Sequence, residues 1–116
     1  PGWLEQVDDL RLLMKAGWAL YNVERYEDAH TVFAGISDRG RSGEPGWDAF
    51  GLIWQGHMLD LLGRHDEAVP VYEAAARLGI REETTHSQYR LAYVLSDWAA
   101  ERIESPFARI ENTYTD

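Results

Sequence analysis

One segment of this chain occurs twice. Residues Asn22 to Phe33 and Leu61 to Tyr72 align without a gap: Arg25 falls on Arg64, Asp28 on Glu67, Ala29 on Ala68, Val32 on Val71 and Phe33 on Tyr72, each pair 39 positions apart. The same offset carries Gly17 onto Gly56 and Leu20 onto Leu59. A fixed period in this range marks stacked supersecondary units, none of which buries its apolar face alone. Architecture follows from the duplication, and function becomes a question about surfaces.

The units read as helix pairs. From Trp3 to about Val23, the residues Val7, Leu10, Leu13, Met14, Gly17, Leu20 and Tyr21 recur at three and four positions, which places one apolar stripe on a first helix. Glu24-Arg25 reads as a short turn, and Tyr26, Ala29, Phe33 and Ile36 form the stripe of a second helix of about a dozen residues, antiparallel to the first. The polar, Gly/Pro-rich stretch Ser37 to Gly46 reads as an inter-repeat loop. Trp47 to Leu62 is the third helix, closed by Gly63, and Asp66 to Leu78 the fourth, ended by Gly79. Pro70 is expected near the first turn of that fourth helix, because an interior proline costs about 3 kcal/mol. Glu82 to Arg102 reads as a fifth helix, and Ser105-Pro106 as the cap and first turn of a short sixth carrying Phe107, Ile110 and Tyr114. Nothing reads as strand.

A glycine on the first helix of a pair, a short turn, an aromatic, an alanine three residues on and an aromatic four further resemble the tetratricopeptide repeat (TPR) family. Gly17, Leu20, Tyr26, Ala29 and Phe33 carry the resemblance in the first copy, and Gly56, Leu59, Gly63, Ala68, Tyr72 and Ala75 in the second. Leu91, Ala92 and Leu95 match the first half of a third. The resemblance implies an all-α, TPR-like α-α superhelix of about two and a half repeats in one domain. Repeat 1 would span about residues 8–37, the loop 38–46, repeat 2 about 47–79 and a degenerate third repeat or cap 81–114. The period of 39 exceeds the family's usual period of about 34, and the proline that often ends a family repeat is missing from both copies. The alternative is a generic helical bundle with a chance duplication, which differs only in the order of its helices in space.

In TPR-like arrays the first helix of each pair lines a concave groove in which peptides or partner helices dock. The resemblance places Arg11, Met14, Trp18, Tyr21 and Asn22 there from the first pair, Phe50, Ile53, His57 and Asp60 from the second, and Tyr89, Tyr93 and Asp97 from the third. Such a surface is rich in aromatics, which dominate interface energies, although a neighbouring helix can equally fill a groove this shallow. The positions at which one subclass of the family grips a C-terminal carboxylate hold Met14, Trp18, Ile53 and His57, so that clamp is absent. Apolar walls with acidic edges favour a partner segment that combines apolar anchors with Lys or Arg.

Composition narrows the classes further. The 116 residues suffice for one domain, and 45% hydrophobic content with five Trp and six Tyr excludes a disordered polymer. A net charge of −9 disfavours nucleic acid and anionic membranes as partners. With no Cys, disulfides and thiolate metal sites are absent. No apolar run reaches the roughly 18 residues of a membrane span, so a soluble protein without membrane insertion is expected, its compartment open and cytoplasmic by default. The start at Pro1-Gly2 without Met suggests a processed product or an excised domain.

The case for chemistry is thin. His57 and Asp60, three apart on one helix, and the run His65-Asp66-Glu67 each lack a third metal ligand at a recognised spacing. His65 stands where the first copy has Tyr26 and reads as a packing residue, and His57 as a hydrogen-bonding groove residue. Asp8-Asp9 and Glu82-Glu83 are neighbours that cannot face each other across a substrate. Arg39 to Gly43 lacks the strand and Lys-Ser/Thr of a phosphate loop. No catalytic residue, cofactor or metal is expected. The expectation is a non-catalytic protein-protein interaction module, a scaffold or adaptor; alternatives are an accessory domain of a larger enzyme and a chaperone-like holder of a secretion substrate. Self-association through the C-terminal helix would follow if Trp98, Phe107 and Tyr114 lie exposed.

Overall fold

In the computed structural model, which describes residues 2–40, 46–78 and 95–108 (2–8, 40, 95 and 96 by backbone alone), the duplicated segment builds the same turn twice. The helices are α1 (Gly2–Asn22), α2 (Tyr26–Gly40), α3 (Trp47–Leu61), α4 (His65–Arg77) and α5 (Leu95–Glu104). Among the described residues there is no strand. At the end of α1 the Arg25 N–H reaches the Leu20 carbonyl at 2.9 Å and the Glu24 N–H the Tyr21 carbonyl at 3.0 Å. At the end of α3 the Arg64 N–H reaches Leu59 at 2.8 Å and the Gly63 N–H reaches Asp60 at 3.0 Å. Both are the paired bonds that close a helix through one left-handed residue, here Glu24 at φ 63° and Gly63 at φ 75°. Arg25 pairs with Asp28, and Arg64 with Glu67, on the first turn of the next helix.

Within each pair the helices approach where a side chain is missing. A Cβ on Gly17 would stand 2.6 Å from Phe33 Cε1, and one on Gly56 would stand 2.4 Å from Tyr72 Cε1, so each aromatic of the second helix packs directly against a glycine of the first. Between the pairs a glycine meets backbone instead of a ring. A Cβ on Gly51 would meet the Ser37 backbone nitrogen at 2.5 Å and the Phe33 carbonyl oxygen at 2.8 Å, so α3 rests on the backbone of α2. Side chains of α1 and α3 also meet, with Trp18 5.7 Å from Phe50 and Tyr21 5.5 Å from Trp54 between ring centres. Helix packing of this kind is consistent with a helical repeat.

The core is one cluster that runs from Leu10 to Phe107, with Trp54 at its centre. That indole is fully buried and lies within 6.4 Å of Trp18, Tyr21, Phe33, Phe50, His57, Trp98 and Phe107. No described helix is long and apolar enough to cross a membrane.

Three local expectations need correction. The inter-repeat loop starts later than its composition suggests, because α2 continues through Ser37 to Gly40. Ser37 is buried there, its hydroxyl donating to the Ala34 carbonyl at 2.9 Å, and the side-chain-free face of Gly51 leaves room for the extra turn. Pro70 is the sixth residue of α4 rather than a first-turn residue. It lies on the exposed face together with Asp66, whose carbonyl loses its helical donor where water can replace it. Ser105 closes α5, its N–H bonding the Glu101 carbonyl at 3.0 Å, and residues 106–108 are not helical. A residue before proline resists the helical region, so Ser-Pro acts here as a stop. Residues 79–94, with Tyr89 and Tyr93, and residues 109–116, with Ile110 and Tyr114, lie outside the described residues.

Candidate functional site

Most side chains expected on an open groove are buried. Met14, Trp18, Tyr21, Phe50, Ile53 and His57 are each at most 6% exposed, and the Asp60 side chain is fully buried; Asn22 is half-buried. What covers them includes the chain's own C-terminal part. The Phe107 ring stacks on His57 at 3.8 Å with an interplanar angle of 18°, and lies 5.8 Å from Trp54 and 6.4 Å from Tyr21. Trp98 closes the same corner, 4.5 Å from His57 and 6.2 Å from Trp54. The first helices of both pairs therefore converge on one short, non-helical piece of chain around Phe107.

Polar groups fix the register of that piece. The Phe107 N–H donates to Asp60 Oδ2 at 2.8 Å, and the Tyr72 hydroxyl donates to the same oxygen at 2.7 Å. Asp60 Oδ1 lies 2.6 Å from His65 Nδ1, while His65 Nε2 lies 2.9 Å from the Ile103 carbonyl oxygen. His57 Nδ1 is 3.0 Å from the Tyr72 oxygen. A hydroxyl has one proton, and Tyr72 has given it to Asp60, so the bond with His57 is carried by its Nδ1–H. The Nε2 of His57 is then a bare acceptor, buried without a hydrogen-bond partner among the rings of Trp54, Trp98 and Phe107.

Opposite forces act on the two imidazoles. Burial holds His57 well below the ordinary value of 6.5, and Arg102 adds to this, so the ring is neutral. His65 is raised above 6.5 by its hydrogen bond to Asp60 and then by that to the Ile103 carbonyl, with the charges of Asp60 and Asp66 acting in the same direction. The Tyr72 phenol is pushed upward by burial first and by Asp60 second, so it stays a donor. Arg102 opposes that rise.

The duplication shows where this network sits in the sequence. Trp18, Tyr21, Tyr26 and Phe33 of the first copy correspond to His57, Asp60, His65 and Tyr72 of the second. Where the first copy has four aromatics, the second has a chain of hydrogen bonds from His57 through Tyr72 and Asp60 to His65, at the place where another piece of the chain brings an N–H and a carbonyl that need partners. Sequence reasoning identified His57 and Asp60 but assigned them to an open groove, took His65 as packing, and missed Tyr72, Trp54, Trp98 and Phe107 as the rest of the site. The joint change of all four positions at one offset was the available signal.

Chemically the site is a holding device. Asp60 is saturated by Tyr72, Phe107 and His65, and His57 is sealed. Among the described residues no group of three or more His, Asp or Glu side chains is arranged to hold a metal ion. Comparison with known proteins gave no match among family models, curated proteins or solved structures.

Proposed function

We propose that this is a non-catalytic, TPR-like helical-repeat module that grips an extended protein segment by an aromatic anchor and its backbone amide. The observation that carries the reading is the seating of Phe107. Tyr21 from α1, and Trp54, His57 and Asp60 from α3, together take one ring and one N–H from a piece of chain that is not helical. That is how stacked helix pairs hold extended ligands, with side-chain pockets supplying specificity and backbone bonds the register. The chain's own non-helical residues 105–108, with Phe107 among them, then mark the groove and stand in for the partner. A partner that takes their place would carry an aromatic anchor, and flanking Lys or Arg would suit a domain of net charge −9. The duplicated turn and the two glycine-aromatic contacts support the TPR-like arrangement.

The test is peptide selection on the Phe107→Ala variant of the full chain, after circular dichroism confirms that it is helical. Selected peptides are expected to be enriched in aromatics and in Lys or Arg, and to be displaced by a peptide of residues 101–108. A selection with no aromatic enrichment, or peptides that residues 101–108 cannot displace, would refute the groove assignment.

A further inference from the structure

The two histidines of this site ask for opposite protonation states. His65 is bracketed by acceptors: the Asp60 carboxylate at 2.6 Å on one ring nitrogen and the Ile103 carbonyl at 2.9 Å on the other. A neutral imidazole has one N–H. Whichever nitrogen kept it, the other would turn a lone pair toward an oxygen of the Asp60 carboxylate or the Ile103 carbonyl, so both contacts are satisfied only while a second proton is held on the ring. His57 has the reverse requirement. Its Nδ1–H is committed to Tyr72, and a proton on Nε2 would place a full charge among Trp54, Trp98 and Phe107 with no oxygen to meet it. Ring faces return only about 1–2 kcal/mol to such a charge, against a desolvation cost of several.

Both requirements bear on the same piece of chain. Ile103 and Phe107 are the residues that His65 and Asp60 hold, and Phe107 and Trp98 are the rings that keep His57 dry. We propose that docking of residues 98–107 onto the second helix pair is gated by protons from both sides, requiring a second proton on the His65 ring and requiring His57 to lack one. The docked state is therefore confined to a window around neutral pH, whatever partner the groove accepts.

The groups that face the two rings agree with this. His65 meets Asp60 from α3, the Ile103 carbonyl from α5 and Asp66 from its own helix, all of which favour its charged form. His57 meets Tyr72 from α4 and Arg102 from α5, with Trp54 on its own helix; Arg102 disfavours its charge, and Tyr72 presents only an oxygen already served. From α1, Tyr21 reaches the Phe107 ring rather than either imidazole. A base raised in the docked state stabilises docking fully below 6.5 and loses that contribution as pH climbs through its docked value. A base depressed in the docked state contributes fully above 6.5, and the contribution is lost as pH falls below it. The two limbs meet near pH 6.5.

The experiment is hydrogen exchange by NMR on the full chain, with the Phe107 amide corrected for intrinsic rate at each pH and compared with the Ile36 amide in α2. Phe107 protection relative to Ile36 is expected to peak near pH 6.5 and to fall by up to tenfold per pH unit on each side. His65→Gln should remove the alkaline limb alone, and His57→Phe the acid limb alone. A flat profile, a limb that survives its own substitution, or a profile shared in full by Ile36 would overturn the proposal. The nitrogen shifts of His65 in the wild-type protein provide a second reading that needs no variant: both ring nitrogens protonated at pH 6.5 is expected, and a neutral ring there would equally overturn it.

Discussion

Replacing Gly51 with alanine should damage this protein, although in an exposed helix the same change stabilises. The added methyl would lie 2.5 Å from the Ser37 nitrogen, 2.8 Å from the Phe33 oxygen and 2.9 Å from Ser37 Cα, whereas ordinary contact begins at 3.4 Å. All three atoms are backbone, so no rotamer change relieves the clash, and α2 and α3 must separate by about 1 Å. Overpacking of this kind costs about 1–3 kcal/mol, at the upper end where backbone must move, and helix propensity returns about 1 kcal/mol, leaving a net loss of about 2 kcal/mol. Gly35 is the control. It lies inside α2 with nothing within 4 Å of an added methyl, so Gly35→Ala should gain about 1 kcal/mol from propensity alone. With a urea slope of about 2 kcal/mol per molar, the midpoint falls by about 1 M for Gly51→Ala and rises by about 0.5 M for Gly35→Ala. A neutral or stabilising Gly51→Ala would refute the close approach of α2 and α3, and with it the stacking of the two helix pairs.

The left-handed closing residue of the first turn is Glu24, where the second copy has Gly63. Glu24→Gly is expected to stabilise by about 1 kcal/mol and Gly63→Ala to destabilise by about as much, opposite shifts of roughly 4 °C in melting temperature. Asp60→Asn removes the anion that faces His65 and should cost about 2–3 kcal/mol in urea unfolding, somewhat less than a fully enclosed pair because the His65 side chain is 31% exposed. The same variant should flatten the alkaline limb of Phe107 exchange.

The parts of this fold that were legible in the sequence are those set by local chemistry repeated at one offset. Arg25 and Arg64, and Gly17 and Gly56, occupy the same places in the two units, so the paired helices and their short turns followed from alignment, while the seating of Phe33 on Gly17 and Tyr72 on Gly56 came only with the structure. The run from Ser37 to Gly40 was misread because its residues favour loops in isolation, and only the missing side chain of Gly51 on another helix makes room for a further turn of α2 there. Ser105-Pro106 is ambiguous by nature: the pair that opens a helix is also the pair that stops one, and the residues C-terminal to it decide between the two. The groove residues were identified by type and face, yet Tyr21, His57 and Asp60 are met by Phe107, more than forty residues later in the chain. No spacing rule encodes that distance. The substitution of four aromatics by His57, Asp60, His65 and Tyr72 did encode it, as a set of polar residues with no local reason to lie on an apolar face.

Gly51 also gives the array a direction. In the first copy the corresponding position is Leu12, which is 66% exposed on α1. Where α3 offers bare backbone to the helix before it, α1 offers an isobutyl group, and another helix pair could rest on α1 only at a wider spacing than the one at which α3 rests on α2. Copies of this unit joined head to tail would therefore mismatch at every seam, and an engineer who wished to extend the array would begin by cutting Leu12 back to glycine.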